Sequence, residues 1–194
     1  MNDEIATAPR DWSRVKWTRA AQLAPMMGDA LPMESVGALP PAAAFAVLRD
    51  NDPAGAANFV AQCLPRVDAV RWVLACLTYT DESLPPARAV AAKAVRRWLA
   101  GPSDDARRLA FQAGEIAGWD TMEGLACLAI FLSGGSMAPA TQEMPVNPQP
   151  GVFGRVVASA VLVAAHAQGG LAYPDRIAAM LTKADALAAG EQPG

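Results

Sequence analysis

One stretch restricts this chain more than any other. Residues 151–167 read as a helix, and their inner part, 156–165, runs Val-Val-Ala-Ser-Ala-Val-Leu-Val-Ala-Ala, with ionisable groups only at the two ends, Arg155 and His166. A helix that is apolar on every side calls for burial on every side. It falls short of the ~20 apolar residues needed to cross a bilayer, so its expected place is the middle of a helical core in water.

Composition agrees with that placement. Of the 194 residues 53% are hydrophobic but only 6% are aromatic. Alanine dominates the apolar fraction, favours helix and lets helices approach closely. A chain of this length folding as one domain buries roughly 70% of its unfolded surface. The expected class is therefore all-α, a compact bundle of about eight helices around the 151–167 helix. With 16 Lys+Arg against 19 Asp+Glu the net charge is -3, so no overall basic field gathers nucleic acid or an anionic membrane surface. The start of the chain carries Asp3 and Glu4 and lacks the basic-then-apolar order of a signal peptide, which points to the cytoplasm. Cys63, Cys76 and Cys127 form no C-x-x-C pair and read as reduced core thiols.

The chain divides near residue 40. Over residues 1–40, Pro9, Pro25, Pro32 and the Pro40-Pro41 pair, with Gly28 and Gly37, interrupt any long helix, which predicts a tail or docking segment. Inside it Trp12, Val15 and Trp17 interleave with Arg10, Arg14, Lys16 and Arg19, and a short helix over 11–23 is possible. The tryptophans either fold back over an edge of the core or enter a partner's groove.

Residues 41–190 read as a single helical domain. A short helix over 42–49 carries Phe45 and Leu48, and Asp52-Pro53 has the order of an N-cap followed by proline at the first helical position. Pro65 opens a helix with two apolar stripes, Val67, Val70, Leu74 and Leu77 beside Trp72, Cys76 and Tyr79. Pro85-Pro86 opens the next, with Val90, Ala94, Val95 and Trp98 inward and Lys93, Arg96 and Arg97 outward. Ser103 caps a helix in which Asp104 can pair with Arg107 and Arg108 and whose expected core positions are Leu109, Ala113, Ile116 and Ala117. Asp120 and Glu123 have capping-box spacing for a nearly all-apolar helix over 121–132, expected to pack on the 151–167 helix. A last helix from Pro174 turns Ile177, Met180, Leu181, Ala184 and Leu187 inward. An echo between 60–70 and 95–109 keeps a short α-solenoid of helical hairpins as the alternative architecture.

The least ordinary segment joins the two most apolar helices. It runs Ser133-Gly134-Gly135-Ser136-Met137-Ala138-Pro139 and on through Pro145, Pro148 and Pro150 to Gly151. It exceeds the ~12–15 residues usual for a structureless connection within a domain, and such loops are functional or disordered.

Chemistry leaves little else to find. His166 is the single histidine, so a histidine-rich metal site is excluded from one chain. No G-x-S-x-G elbow, S-x-x-K or P-loop is present, and Glu115 has no partner carboxylate. A Cys127 and His166 dyad is the best enzymatic arrangement available.

Several runs resemble an uncharacterised family of bacterial helical proteins sometimes encoded among type VI secretion genes. They are Pro102-Ser103 with Arg107-Arg108, Ala117-Gly118-Trp119-Asp120-Thr121, the run Phe131 through Pro139, Gly154-Arg155-Val156-Val157 and Tyr173-Pro174-Asp175-Arg176-Ile177-Ala178. The resemblance implies an accessory or adaptor role near a secretion apparatus and carries no assigned activity.

The expected function is thus a non-enzymatic protein-interaction module needing no metal or cofactor. Its contacts are expected at Trp12 and Trp17 and along loop 134–151, at Gly134, Gly135, Ser136, Met137, Pro139 and Pro145. The alternatives are a cysteine-dependent enzyme using Cys127 and His166, or a small-ligand binder between the helices.

Overall fold

The structure, a computed structural model, describes residues 10–77, 84–139, 141–167 and 172–191. Tyr79 and the first nine residues lie outside them. The described residues hold ten α-helices and no strand. Two are single turns, α1 (Ala24–Met27) and α2 (Met33–Val36). Eight are longer: α3 (Pro41–Asn51), α4 (Pro53–Cys63), α5 (Arg66–Cys76), α6 (Pro86–Ala100), α7 (Asp104–Ala117), α8 (Met122–Leu132), α9 (Val152–His166) and α10 (Tyr173–Ala189).

Local signals set most of these boundaries. Asp52 caps α4 by accepting from the Gly55 N–H at 2.9 Å, with Pro53 at the first position. Ser103 caps α7 through Ala106 N–H. Gly190 ends α10 at φ 91, in the left-handed region. The cap of α8 sits one residue later than expected: Thr121 accepts from Gly124 N–H at 3.1 Å. Glu123 takes no part in a capping box because it is turned fully inside, where Arg88 grips both its oxygens at 2.8 and 3.2 Å.

The centre of the bundle is α8, not α9. Every α8 residue except Leu128 is buried, and α5, α6, α7 and α9 all pack against it. The expected pairing of the two apolar helices is present, but α9 lies in the outer shell. Arg155, Ser159, Val163 and His166 face water along one line at helical spacing. The Ser159 hydroxyl donates to the Arg155 carbonyl one turn back, so the stripe carries little polar chemistry to betray it. A solenoid is ruled out by closure: α4 packs on α9, and α10 returns over α3, α4 and α5.

The expected inward faces of α3 and α10 are buried, and α6 buries Val95 and Trp98 as expected, whereas α7 is rotated from expectation. Val90 of α6 is exposed, and α7 leaves Leu109 and Ile116 in water while burying Ala106, Arg107, Ala110, Ala113 and Gly114. Small residues on that face let α7 approach α6 and α8 closely. The same rotation turns Arg107 inward.

The segment before α3 is part of the same core. Of the helix considered over 11–23, only a 3-10 turn at Ala20–Leu23 forms. Trp12 is buried, its ring 5.2 Å from that of Phe45 and its Nε1 donating to Asp185 at 2.7 Å. Arg14 N–H donates to Ala188 O at 2.9 Å, and Ser13 Oγ to Ala189 O at 2.8 Å. Residues 10–19 are a strap tying α3 to the end of α10.

Candidate functional site

Loop 134–151 is braced from three helices. In the first turn of α7, Asp104 accepts from Arg108 at 2.8 Å and from Arg107 at 2.6 Å. Those two guanidinium groups, Arg108 foremost, hold its carboxyl below the usual carboxylate range. Oriented by that pairing, the buried Arg107 donates to Phe131 O at 2.7 Å and Ser136 O at 2.8 Å, and lies 4.7 Å over the Phe131 ring. Arg108 donates to Ala138 O at 3.1 Å, and Arg66 of α5 donates to Ser133 O. Carbonyls at and beyond the end of α8, which a helix leaves unpaired, are thus satisfied by cations. The loop also closes on itself: the Ser136 hydroxyl accepts from Ala138 and Val146 N–H, and Met137 N–H donates to Val146 O at 2.7 Å.

A corner of aromatics supports this brace. Phe111 contacts Trp119 at 5.5 Å and Phe131 at 4.4 Å between ring centroids. Trp119 covers Gly114, where an added Cβ would stand 2.7 Å from the indole and 2.8 Å from Cys127 Cβ. The runs around Arg107, Trp119 and Phe131 are therefore parts of one support.

Beside the braced loop lies a cleft of about 760 Å³. Its walls are the N-terminal strap, the α4–α5 junction and the loop's two ends. Arg14, Lys16 and Arg66 line it, with Trp17 and Phe153 as apolar walls, and among the described residues no carboxylate does. The buried Asp68 answers Arg14 at 2.9 Å but also Arg71 at 2.8 Å, so it does not cancel both. Lys16 Nζ stands 4.5 Å over the Trp17 ring, and the Arg66 guanidinium 5.7 Å from that of Phe153. Gln62, at the end of α4, donates to Gly151 O at 2.9 Å and fixes the loop's far end.

The cleft brings Trp17, Gly134 and Gly135 together. Pro139 and Pro145 are exposed away from it, Ser136 and Met137 are half-buried within the loop's own bonding, and Trp12 is spent on the core. Asn147 and Gln149, within the expected loop but not singled out from sequence, also line the cleft, and so does Arg66, which sequence reasoning missed. A signal existed for Arg66. A cation at the opening residue of a helix opposes the helix dipole, so Arg66 has to serve something outside its own helix.

Cys127 and His166 are engaged apart from one another. Cys127 is fully buried, its thiol donates to Ala91 O at 3.5 Å, and burial followed by the nearby Glu123 pushes its pKa up to about 12. His166 is exposed and stacks on Tyr173 at 4.3 Å, beside a smaller hollow of about 500 Å³ that Val163 and Arg88 also line. Burial raises the thiols of Cys63 and Cys76 as well. Among the described residues no group of His, Cys, Asp or Glu could hold a metal ion, and no helix is long and apolar enough to cross a membrane.

What this arrangement defines is a scaffold class, an all-helical bundle that commits three arginines to one loop beside a basic cleft. The chain belongs to DUF6931, a family of unknown function, whose sequence profile matches residues 42–188. No curated protein and no solved structure matches it.

Proposed function

We propose that this protein is a non-enzymatic interaction module that binds another protein in the cleft between the N-terminal strap and loop 134–151. The observation that supports this most is convergence. Trp17 and Gly134-Gly135, from segments more than a hundred residues apart, meet at one concave surface beside a loop that the buried Arg107 braces. A volume of this size suits a ligand segment, and preorganised walls reduce the entropy lost on binding. The raised Cys127 thiol and the outward His166 give the enzymatic alternative no support, since a thiol nucleophile needs a lowered pKa. An accessory role near a type VI secretion apparatus is part of the proposal, resting on resemblance alone.

The test places a photo-crosslinking amino acid at Gln149 in the full chain, expressed in its native host. A discrete protein adduct is expected there and not at Glu115, which is exposed on α7 away from the cleft. Equal labelling at both positions, or none at either, overturns the proposal.

A further inference from the structure

We infer that the cleft's occupant is an extended, acidic peptide segment whose carboxylates are taken by Lys16 and Arg66. The inference rests on the interaction reading above and adds the chemistry of the partner.

Charge gives the first argument. In a chain whose acidic residues outnumber its basic ones, this cleft gathers three cations and no carboxylate among the described residues. Among the described residues Lys16 makes no ion pair, and Arg66 uses only its Nη1 donor, on Ser133 O. The remaining N–H groups of Arg66 have the fork geometry that suits a carboxylate.

Backbone chemistry gives the second. The stretch 147–149 runs without regular structure along the cleft wall, with a proline at 148. Among the described residues the amides of Gly134, Gly135, Asn147 and Gln149 donate to no protein acceptor, and the Asn147 and Gln149 side chains have no partner. Main-chain donors left without a protein acceptor, with side-chain amides beside them, can take the carbonyls of an extended chain. Trp17 and Phe153 offer apolar faces for the side chains between the acids.

The test is a nitrogen-15 NMR titration of the full chain with the pentapeptide acetyl-Gly-Glu-Ala-Glu-Gly-amide into the millimolar range. Controls are the same peptide with glutamine for glutamate, and inorganic phosphate. Saturable shifts are expected at the amides of Gly134, Gly135, Asn147 and Gln149 and at the Trp17 indole N–H with the glutamate peptide only. Lys16→Glu is expected to weaken binding at least fivefold with unchanged helix content, because Lys16 is exposed and, among the described residues, its one contact is with the half-exposed Trp17 ring; Arg66→Gln is a second variant with the same expected direction. Equal binding of the glutamine peptide, shifts scattered outside the cleft, or the same shifts produced by phosphate would each overturn the inference. A crosslinked adduct at Gln149 with no glutamate-peptide shifts would leave the interaction module standing and remove only its acidic occupant.

Discussion

Arg107 shows how much one side chain can decide. It is 4% exposed, and three acceptors, Asp104, Phe131 O and Ser136 O, depend on it. Truncating it to alanine strands a buried carbonyl and frees the loop, at a cost of about 3 kcal/mol. Urea unfolding of Arg107→Ala should show that loss, and hydrogen exchange at Met137 should lose its protection. Arg107→Lys should recover only part, because an ammonium cannot span both carbonyls. Asp104 adds a pH dependence whose sign follows from its lowered pKa. Its contribution is full above the ordinary carboxylate range and is lost as the pH falls below about 4, through the folded-state value. Asp104→Asn should flatten that acid-side loss in a pH series of urea midpoints. The cysteines test the core from the other side: with Cys127 near 12 and the other two also raised, a disulfide-exchange reagent at pH 8 should find no fast thiol in the folded protein and all three in urea.

Among the helices, α7 and α9 show where sequence patterns stop being legible. The order of the long helices and the caps of α4 and α7 follow from Pro, Gly, Asp and Ser signals, and the inward faces of α3 and α10 follow from apolar spacing. The face of α7 does not, because bulk is a poor guide where close approach is needed. Alanine and glycine win the buried side, while Leu109 and Ile116 are left out. In α9 the error has the opposite origin: alanine and valine stand on all sides, and between Arg155 and His166 at its ends only Ser159 marks the wet stripe. Gly114→Ala decides between propensity and packing. Alanine favours helix by about 1 kcal/mol over glycine, but the added methyl would stand 2.7 Å from a rigid indole and 2.8 Å from Cys127 Cβ. Overpacking of this kind costs about 1–3 kcal/mol. The variant should therefore be less stable in thermal unfolding, with a shifted Trp119 fluorescence signal; a raised melting temperature would show that the α7–α8 spacing is slack.

At the scale of the whole molecule, the strap joins stability to the cleft. A division at residue 40 is natural from proline and glycine punctuation, but punctuation reports where helices stop and says nothing of where the chain goes next. The long-range partners of Trp12, Ser13 and Arg14, which are Asp185, Ala189 and Asp68, leave no mark in local pattern. The cleft was legible only in its parts, as a basic-aromatic run and a glycine-proline loop, because what unites them is tertiary. One core shared by strap and bundle predicts one unfolding transition. Trp12→Ala removes a buried indole and its bond to Asp185, a loss of about 3 kcal/mol, or a fall of about 6–12 °C in Tm for a chain of this size. Trp17→Ala, half-exposed on the cleft wall, should cost less than about 1 kcal/mol. Circular dichroism and tryptophan fluorescence should give coincident urea midpoints in both variants. A separate early transition in the fluorescence signal alone would mean that the strap unfolds by itself, and that the cleft has one wall able to leave.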